Sequence, residues 1–149
     1  MEEKEILERA AKYIAEEKDD SFRKEVEDLV AKKDMAELED RFYQSLEFGT
    51  GGLRGVMGGG TNRMNTLNIS KATQGLANYL IKAFPEEAKN GTLSACVAYD
   101  SRHNHDKFSD ITARVLPQTE SKHIFSLLFA LLQNFLMQSE FLDAKLALL

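Results

Sequence analysis

The sequence predicts an α/β protein opened by helices, and three observations carry that expectation. Apolar side chains recur at helical spacing through residues 1–47, Thr92 to Tyr99 is a short apolar run bounded by turn residues, and helical patterns flank that run on both sides. Between the opening helices and the α/β part lies F-G-T-G-G-L-R-G-V-M-G-G-G, Phe48 to Gly60, which holds seven of the nine glycines. A chain of 149 residues has room for one domain with a proper core.

The first expected helix runs from Glu2 to Lys18, with Ile6, Ala10, Tyr13 and Ile14 on one stripe. Asp20 or Ser21 caps a second helix through Val30, turning Phe22, Val26, Leu29 and Val30 inward. Asp34 caps a third through Leu46, with Glu37 placed as in a capping box and Leu38, Phe42 and Leu46 on one face. Their charged outer faces read as solvated surface, so this segment is expected to be a preamble and not a site. Asn62 to Ser70 reads as polar and irregular. Ser70 then caps a helix through Phe84 that buries Thr73, Leu76, Ala77, Leu80 and Ile81, and Pro85 stops it. Asn90-Gly91 is a turn signal, and Thr92 to Tyr99 follows as a buried strand with Cys96 as a small core residue. After the loop at 100–105, Asp106 to Leu116 is a helix with Phe108, Ile111, Thr112 and Val115 inward.

The net charge of −5 is unevenly placed. Residues 1–47 carry 9 Lys/Arg against 16 Asp/Glu, whereas residues 48–116 carry 8 against 5. The glycine/arginine region is locally electropositive and suits a small anion, while the acidic total argues against a nucleic-acid partner. A single cysteine excludes a disulfide framework and points to a reducing, cytoplasmic setting. The M-E-E-K-E opening has no apolar signal-peptide core, and Ile124 to Met137 is too short to span a bilayer.

Glycine removes Cβ and lets backbone N–H groups approach an anion, and Arg54 in the middle of the run is a planar, permanently charged fork for phosphate or carboxylate. Two readings stay open: a phosphate cradle, or a mobile surface loop. The run matches neither G-x-x-x-x-G-K-[ST] nor a helix-opening G-x-G-x-x-G. Arg63 is a second anion contact or simply surface. Asp100 to His105 follows the strand, where open α/β sheets place ligands. His103 and His105, near Asp100 and Asp106, lack a clear third metal ligand, and no Ser/His/Asp nucleophile set can be defended from spacing.

Three motifs in order, R-F-Y-Q-S-L-E-F-G-T-G-G-L-R-G-V-M-G-G-G-T-N-R-M-N, A-T-Q-G-L-A-N-Y-L and A-Y-D-S-R-H-N, resemble the α-D-phosphohexomutase superfamily, in its phosphoglucomutase/phosphomannomutase/phosphopentomutase branch. The resemblance covers about residues 1–116. It implies a helical extension over 1–47, a partial α/β/α first domain over 48–116, and a parent enzyme of four domains around one cleft. In such enzymes a phosphoserine passes its phosphoryl group to a sugar phosphate and Mg²⁺ assists. By resemblance Arg54 is the arginine beside the phosphoserine, Thr50, Gly51 and Gly52 shape its loop, and these with Arg63 form the phosphate-binding set. Arg102, His103 and Asn104 are similar to the second active-site loop, although His105 stands where serine is usual. The family's T-A-S-H-N-P phosphoserine loop, its D-x-D-x-D metal loop and its G-E-x-S sugar loop do not occur in this sequence. The resemblance therefore implies a sugar-phosphate partner and Mg²⁺ for the full-length family, no metal held by this chain, and an inactive product on its own.

Pro117 to Leu149 breaks the resemblance with a Leu/Phe-rich tract that fits no amphipathic helix. Codons exist for it which, read two bases along, spell a string similar to the family's continuation; Phe129 to Gln138 then yields R-P-T-P-E-L-S. A one-base deletion near the Pro117 codon accounts for this. The expectation is a non-native tail, helical or disordered, that does not supply a strand in correct register, leaving the chain poorly soluble or self-associating. Three roles follow: a fragment of a mutase, a standalone sugar-phosphate binder, or a partner- or membrane-associating protein using the tail.

Overall fold

The computed structural model describes residues 2–50, 52–99, 103–116, 126–131 and 145–148. Within these the element order is α1 (Glu3–Glu16), α2 (Asp20–Lys32), α3 (Met35–Phe42), β1 (Phe48–Gly49), β2 (Gly52–Leu53), α4 (Thr66–Ala83), α5 (Pro85–Asn90), β3 (Ser94–Tyr99), α6 (His105–Val115), β4 (Ser126–Leu131) and β5 (Lys145–Leu148). The chain divides into two compact units, Met1–Ile69 and Ser70–Leu149.

In the first unit, α1, α2 and α3 close around Ile6, Ala10, Tyr13, Val26, Leu38 and Phe42, as their spacing predicts. Tyr13 and Phe42 meet edge to face, ring centroids 5.8 Å apart, the arrangement an aromatic quadrupole favours. Helix α2 begins one residue earlier than expected because Asp19, not Asp20 or Ser21, caps it: its carboxylate accepts from the Ser21 and Phe22 amides. Asp34 caps α3 by accepting from the Glu37 amide at 3.2 Å, but the Glu37 carboxylate takes Arg41 instead of closing a capping box. Helix α3 stops at Phe42, not Leu46. The carbonyls that would continue it are claimed from outside, Phe42 O by Arg9 Nη1 at 2.8 Å and Gln44 O by Thr61 Oγ1 at 2.7 Å.

Residues 66–69, expected to be irregular, are the first turn of α4, so Ser70 lies inside the helix. The N-terminus of α4 is met by Glu17, which is only 3% exposed. This carboxylate accepts from the Leu67 amide (3.2 Å), the Asp19 amide (2.9 Å), the Tyr13 hydroxyl (2.9 Å) and the Thr66 hydroxyl. Four donors and the positive end of the helix dipole compensate the desolvation of the charge. Burial, and then the neighbouring Glu17 charge, push the Tyr13 phenol far above its ordinary range.

In the second unit, α4 buries Thr73, Ala77 and Leu80. Pro85 does not merely stop that helix; it opens α5, where its fixed φ and missing N–H are harmless, and Gly91 ends α5 in the left-handed region at φ 69°. Ala77, Ala95, Val97 and Leu116 form one cluster, and Leu80, Ala88 and Leu93 another. Helix α6 presents Ser109, Thr112 and Ala113 inward, not Phe108, Ile111 and Val115, which are half-buried. Thr112 Oγ1 donates to the Phe108 carbonyl and lies 3.4 Å from Thr73 Oγ1, so the two threonines expected on the inner faces of α4 and α6 meet as a hydroxyl pair. The side chain of Cys96, on β3, lies outside the described part.

β3 is the central strand of a parallel sheet ordered β4-β3-β5, with Ser94 opposite Ser126 and Ala95 opposite Lys145. Two short segments of the tail, Ser126–Leu131 and Lys145–Leu148, lie beside β3 as strands. The remainder of 117–149 lies outside the described residues.

Two outcomes follow from the Glu17 site. Glu17→Ala leaves four interior donors without their acceptor and should destabilise the fold by about 3 kcal/mol in chemical denaturation. A raised phenol means that the unfolded chain releases a proton before the native one does, so stability is intact below about pH 10 and falls above it by about 1.4 kcal/mol per pH unit. Tyr13→Phe should flatten that alkaline slope in pH-dependent melts while lowering stability at neutral pH.

Candidate functional site

The glycine-rich segment is two structures in series. Its first part is a small hairpin in which Phe48 pairs with Leu53 and Gly49 with Gly52. Its second part, from Val56 on, runs back against the helices. Met64 N donates to Val56 O at 2.8 Å and Gly58 N to Met64 O at 3.1 Å, and Leu46 N reaches Thr61 O at 2.8 Å. Leu46 also sits over Gly55, where a Cβ would lie 2.7 Å from its Cδ1.

Two asparagines hold the second part. Asn65 is wholly buried, and its Nδ2 donates to the carbonyls of Gly58 (2.9 Å), Gly60 (2.7 Å) and Arg63 (3.3 Å). Its Oδ1 accepts from the Asn68 amide at 3.0 Å, which caps α4. Asn68 Nδ2 donates to the carbonyls of Gly60, Thr61 and Arg63. Glycine is required at 59, where a Cβ would stand 2.3 Å from the Phe22 carbonyl oxygen. Gly60 adds a φ of +133° and a Cβ position 2.8 Å from the Arg41 Cβ.

Arg41 joins this loop to the helices. Its Nε donates to Glu37 Oε1, and its Nη1 to Glu25 Oε2 and to the Gly59 carbonyl, each at 2.9 Å. Burial pulls the guanidinium's pKa down, but the hydrogen bonds from Glu25 and Glu37 outweigh it and the net shift is upward.

A groove of about 420 Å³ opens beside the hairpin, lined by residues that include Asp40, Glu47, Arg54, Gly55, Asn62 and Arg63. Arg54 is exposed there, and among the described residues no carboxylate forms an ion pair with it. Arg63 is 7% exposed and engaged: its Nη2 pairs with the Asp40 carboxylate, lies 3.9 Å from Glu37, and its Nη1 donates to the Asn62 carbonyl at 3.1 Å. Thr50, in the hairpin turn, and Gly52, at φ 96°, are exposed. The structure therefore brings Thr50, Gly52, Arg54 and Arg63 into one hairpin-and-groove region of the first unit. It divides the glycine run, because the Gly58 and Gly59 amides are bound internally, Gly59's by Glu25 Oε2 at 2.9 Å.

Gly51 and Arg102 lie outside the described residues. His103 is exposed in a turn, and Asn104, at φ 61°, precedes α6 and accepts the Phe108 amide on its carbonyl at 2.9 Å. Both belong to the second unit. Among the described residues no three His, Cys, Asp or Glu side chains cluster to hold a metal. Among the same residues no helix is long and apolar enough to cross a membrane. The residues that sequence reasoning missed are Glu25, Arg41, Asn65 and Asn68. Asn65 and Asn68 stand three apart before an apolar run, which is a helix-start signal.

A family model described as phosphoglucomutase/phosphomannomutase, alpha/beta/alpha domain I, matches residues 45–130. The chain is 37% identical over 107 residues to a probable phosphoribomutase of Schizosaccharomyces pombe, covering 72% of this chain and 18% of that protein. It is 43% identical over 89 residues to a phosphoribomutase of Saccharomyces cerevisiae (60% of this chain, 14% of that one) and 36% identical over 92 residues to a human phosphopentomutase (62% and 14%). The chain thus spans less than a fifth of the length of these relatives. No solved structure matches it.

Asn65→Ala should cost about 2–3 kcal/mol, since three buried carbonyls lose a donor and α4 loses its cap. Asn65→Asp keeps the cap but not the donors. Hydrogen exchange checks the split: fast exchange at the Gly58 and Gly59 amides in both variants, and at the Asn68 amide only in the alanine one.

Proposed function

This chain belongs to the phosphoglucomutase/phosphomannomutase family, and from that premise we propose that it is the phosphate-gripping part of a sugar-phosphate mutase, binding a sugar phosphate but not turning it over alone. One observation carries this reading: Arg54 stands exposed at the edge of a groove, beside a hairpin whose base is packed and hydrogen-bonded in place. A guanidinium already on station offers two parallel donors to a phosphate without the entropy cost of ordering a loop. Thr50 and Gly52 are exposed in the neighbouring hairpin, and Arg63, paired with Asp40, lines the groove. By family resemblance Arg102, His103 and Asn104 are proposed as a second active-site loop, in the second unit. The phosphoserine and metal-loop motifs are absent from the 149 residues, so no phosphoryl donor is at hand. The first relatives are named for pentose phosphates, which makes ribose 5-phosphate the first ligand to test. The lone cysteine favours a cytoplasmic setting.

The tail has its own reading within this proposal: from Pro117 on, the message is translated one base out of register. The family match runs on to residue 130, past that junction, which counts against a shift as early as Pro117; sequencing the gene across residues 116–131 decides where the frame changes. An in-register terminus with no mutase frame beyond it overturns this part of the proposal.

Titration of the chain with ribose 5-phosphate, followed by ¹H–¹⁵N spectra, should shift the Gly52 to Gly55 amides. Arg54→Ala should weaken binding by about tenfold or more, the scale of one charge-assisted bidentate contact. A coupled assay for interconversion of the sugar 1-phosphate should show no turnover, and turnover that disappears in Arg54→Ala would refute the inactive assignment.

A further inference from the structure

We infer that Arg41, together with Glu25, is a positioning device for the anion groove, acting on Arg54 without touching the ligand. The inference rests on the groove being an anion site. Arg41 Nη1 donates to the Gly59 carbonyl while Glu25 Oε2 accepts from the Gly59 amide, and the two side chains pair with each other, all at 2.9 Å. One ion pair therefore grips both polar groups of a single peptide residue.

That residue is where displacement would be transmitted. Next to Gly59, the Gly58 amide is bonded to Met64 O, and the Met64 amide to Val56 O, two residues from Arg54. Asn62, which lines the groove, also donates its amide to the backbone carbonyl of Arg41 at 3.0 Å, a bond that Arg41→Lys leaves in place. Arg41 is a poor anion ligand, because Glu25 and Glu37 already neutralise it. Its geometry suits it to holding: a planar guanidinium can serve Glu37, Glu25 and Gly59 together, whereas an ammonium on a single tip cannot span all three. A site whose supporting contacts loosen by a fraction of an ångström loses affinity even when its charge remains.

The test is a phosphate titration of the full chain by NMR, comparing wild type, Arg41→Lys, Glu25→Gln and Arg9→Ala. Arg9 Nη1 binds the Phe42 carbonyl on the same helix end but makes no contact with the glycine segment among the bonds described, so its loss reports stability alone. Arg41→Lys should fold and raise the Kd for inorganic phosphate by about tenfold, Glu25→Gln should act in the same direction, and Arg9→Ala should lower the Tm with Kd unchanged. If Arg41→Lys does not fold, Glu25→Gln carries the same comparison. Wild-type affinity in folded Arg41→Lys and Glu25→Gln overturns the inference, as does an equal loss in Arg9→Ala. If the wild type itself binds no phosphate, or binds it independently of Arg54, the groove assignment fails and this inference with it.

Discussion

The two ends of one buried carboxamide govern how this segment is built. Asn65 uses its oxygen to start α4 and its nitrogen to gather three carbonyls of the glycine loop. A helix start and a loop closure are separate problems in most chains, each with its own orphaned polar groups. Here a single interior side chain answers both, so the direction of α4 and the path of Gly58 to Arg63 are not independent. Because the residue is fully buried, water cannot replace either set of bonds if it is lost.

The acidity of residues 1–47 takes on a different meaning in this light. A net charge of −7 on three amphipathic helices suggests solvated surface, and most of those carboxylates are exposed. Glu17 is buried, and Glu25, though exposed, is tied into the glycine loop; the two take different partners. Glu17 meets backbone and hydroxyl donors at a helix start, while Glu25 meets a guanidinium and a glycine amide. Charge count along a sequence cannot separate these from the solvated majority, since the distinction lies in what the fold brings against them. The opening helices are therefore the frame on which the loop is mounted, which revises their reading as a preamble.

How much was legible follows the range of the interactions involved. The stripes Ile6–Ala10–Tyr13 and Leu38–Phe42 and the strand at 94–99 were readable because periodicity and turn punctuation are local signals. The glycine run was read only as a loop, and the β1–β2 hairpin within it was not foreseen, because its two-residue strands carry no periodic signal. Helix ends were misjudged wherever a distant group decided them: Thr61 and Arg9 take the carbonyls after α3, and Glu17 meets the α4 start from 50 residues away. On the inward face of α6 Thr112 was read correctly, but Ser109 and Ala113 were missed, because a small or polar side chain gives no hydrophobic-pattern signal. Arg63 is not simply surface: it is buried against Asp40 and lines the groove, an arrangement that a loop position in the sequence does not signal.

Glycine density signals close approach of backbone to something, without saying to what. An amide that already donates within the protein cannot also cradle an anion, so the number of glycines overstates a phosphate site by however many are used in packing. Gly59 is pressed against the Phe22 carbonyl with its own amide on Glu25, and the Gly58 amide is on Met64. These positions are closed to a ligand for the same reason that they are rigid. The short exposed hairpin and the arginine after it are not committed to such internal bonds. That division is physically economical: an exposed guanidinium loses little hydration before a ligand arrives, whereas the tight turns that aim it are stable only when every polar group in them is satisfied. Rigidity from the buried glycines and reach from the exposed ones are thus separate contributions of a single run of residues.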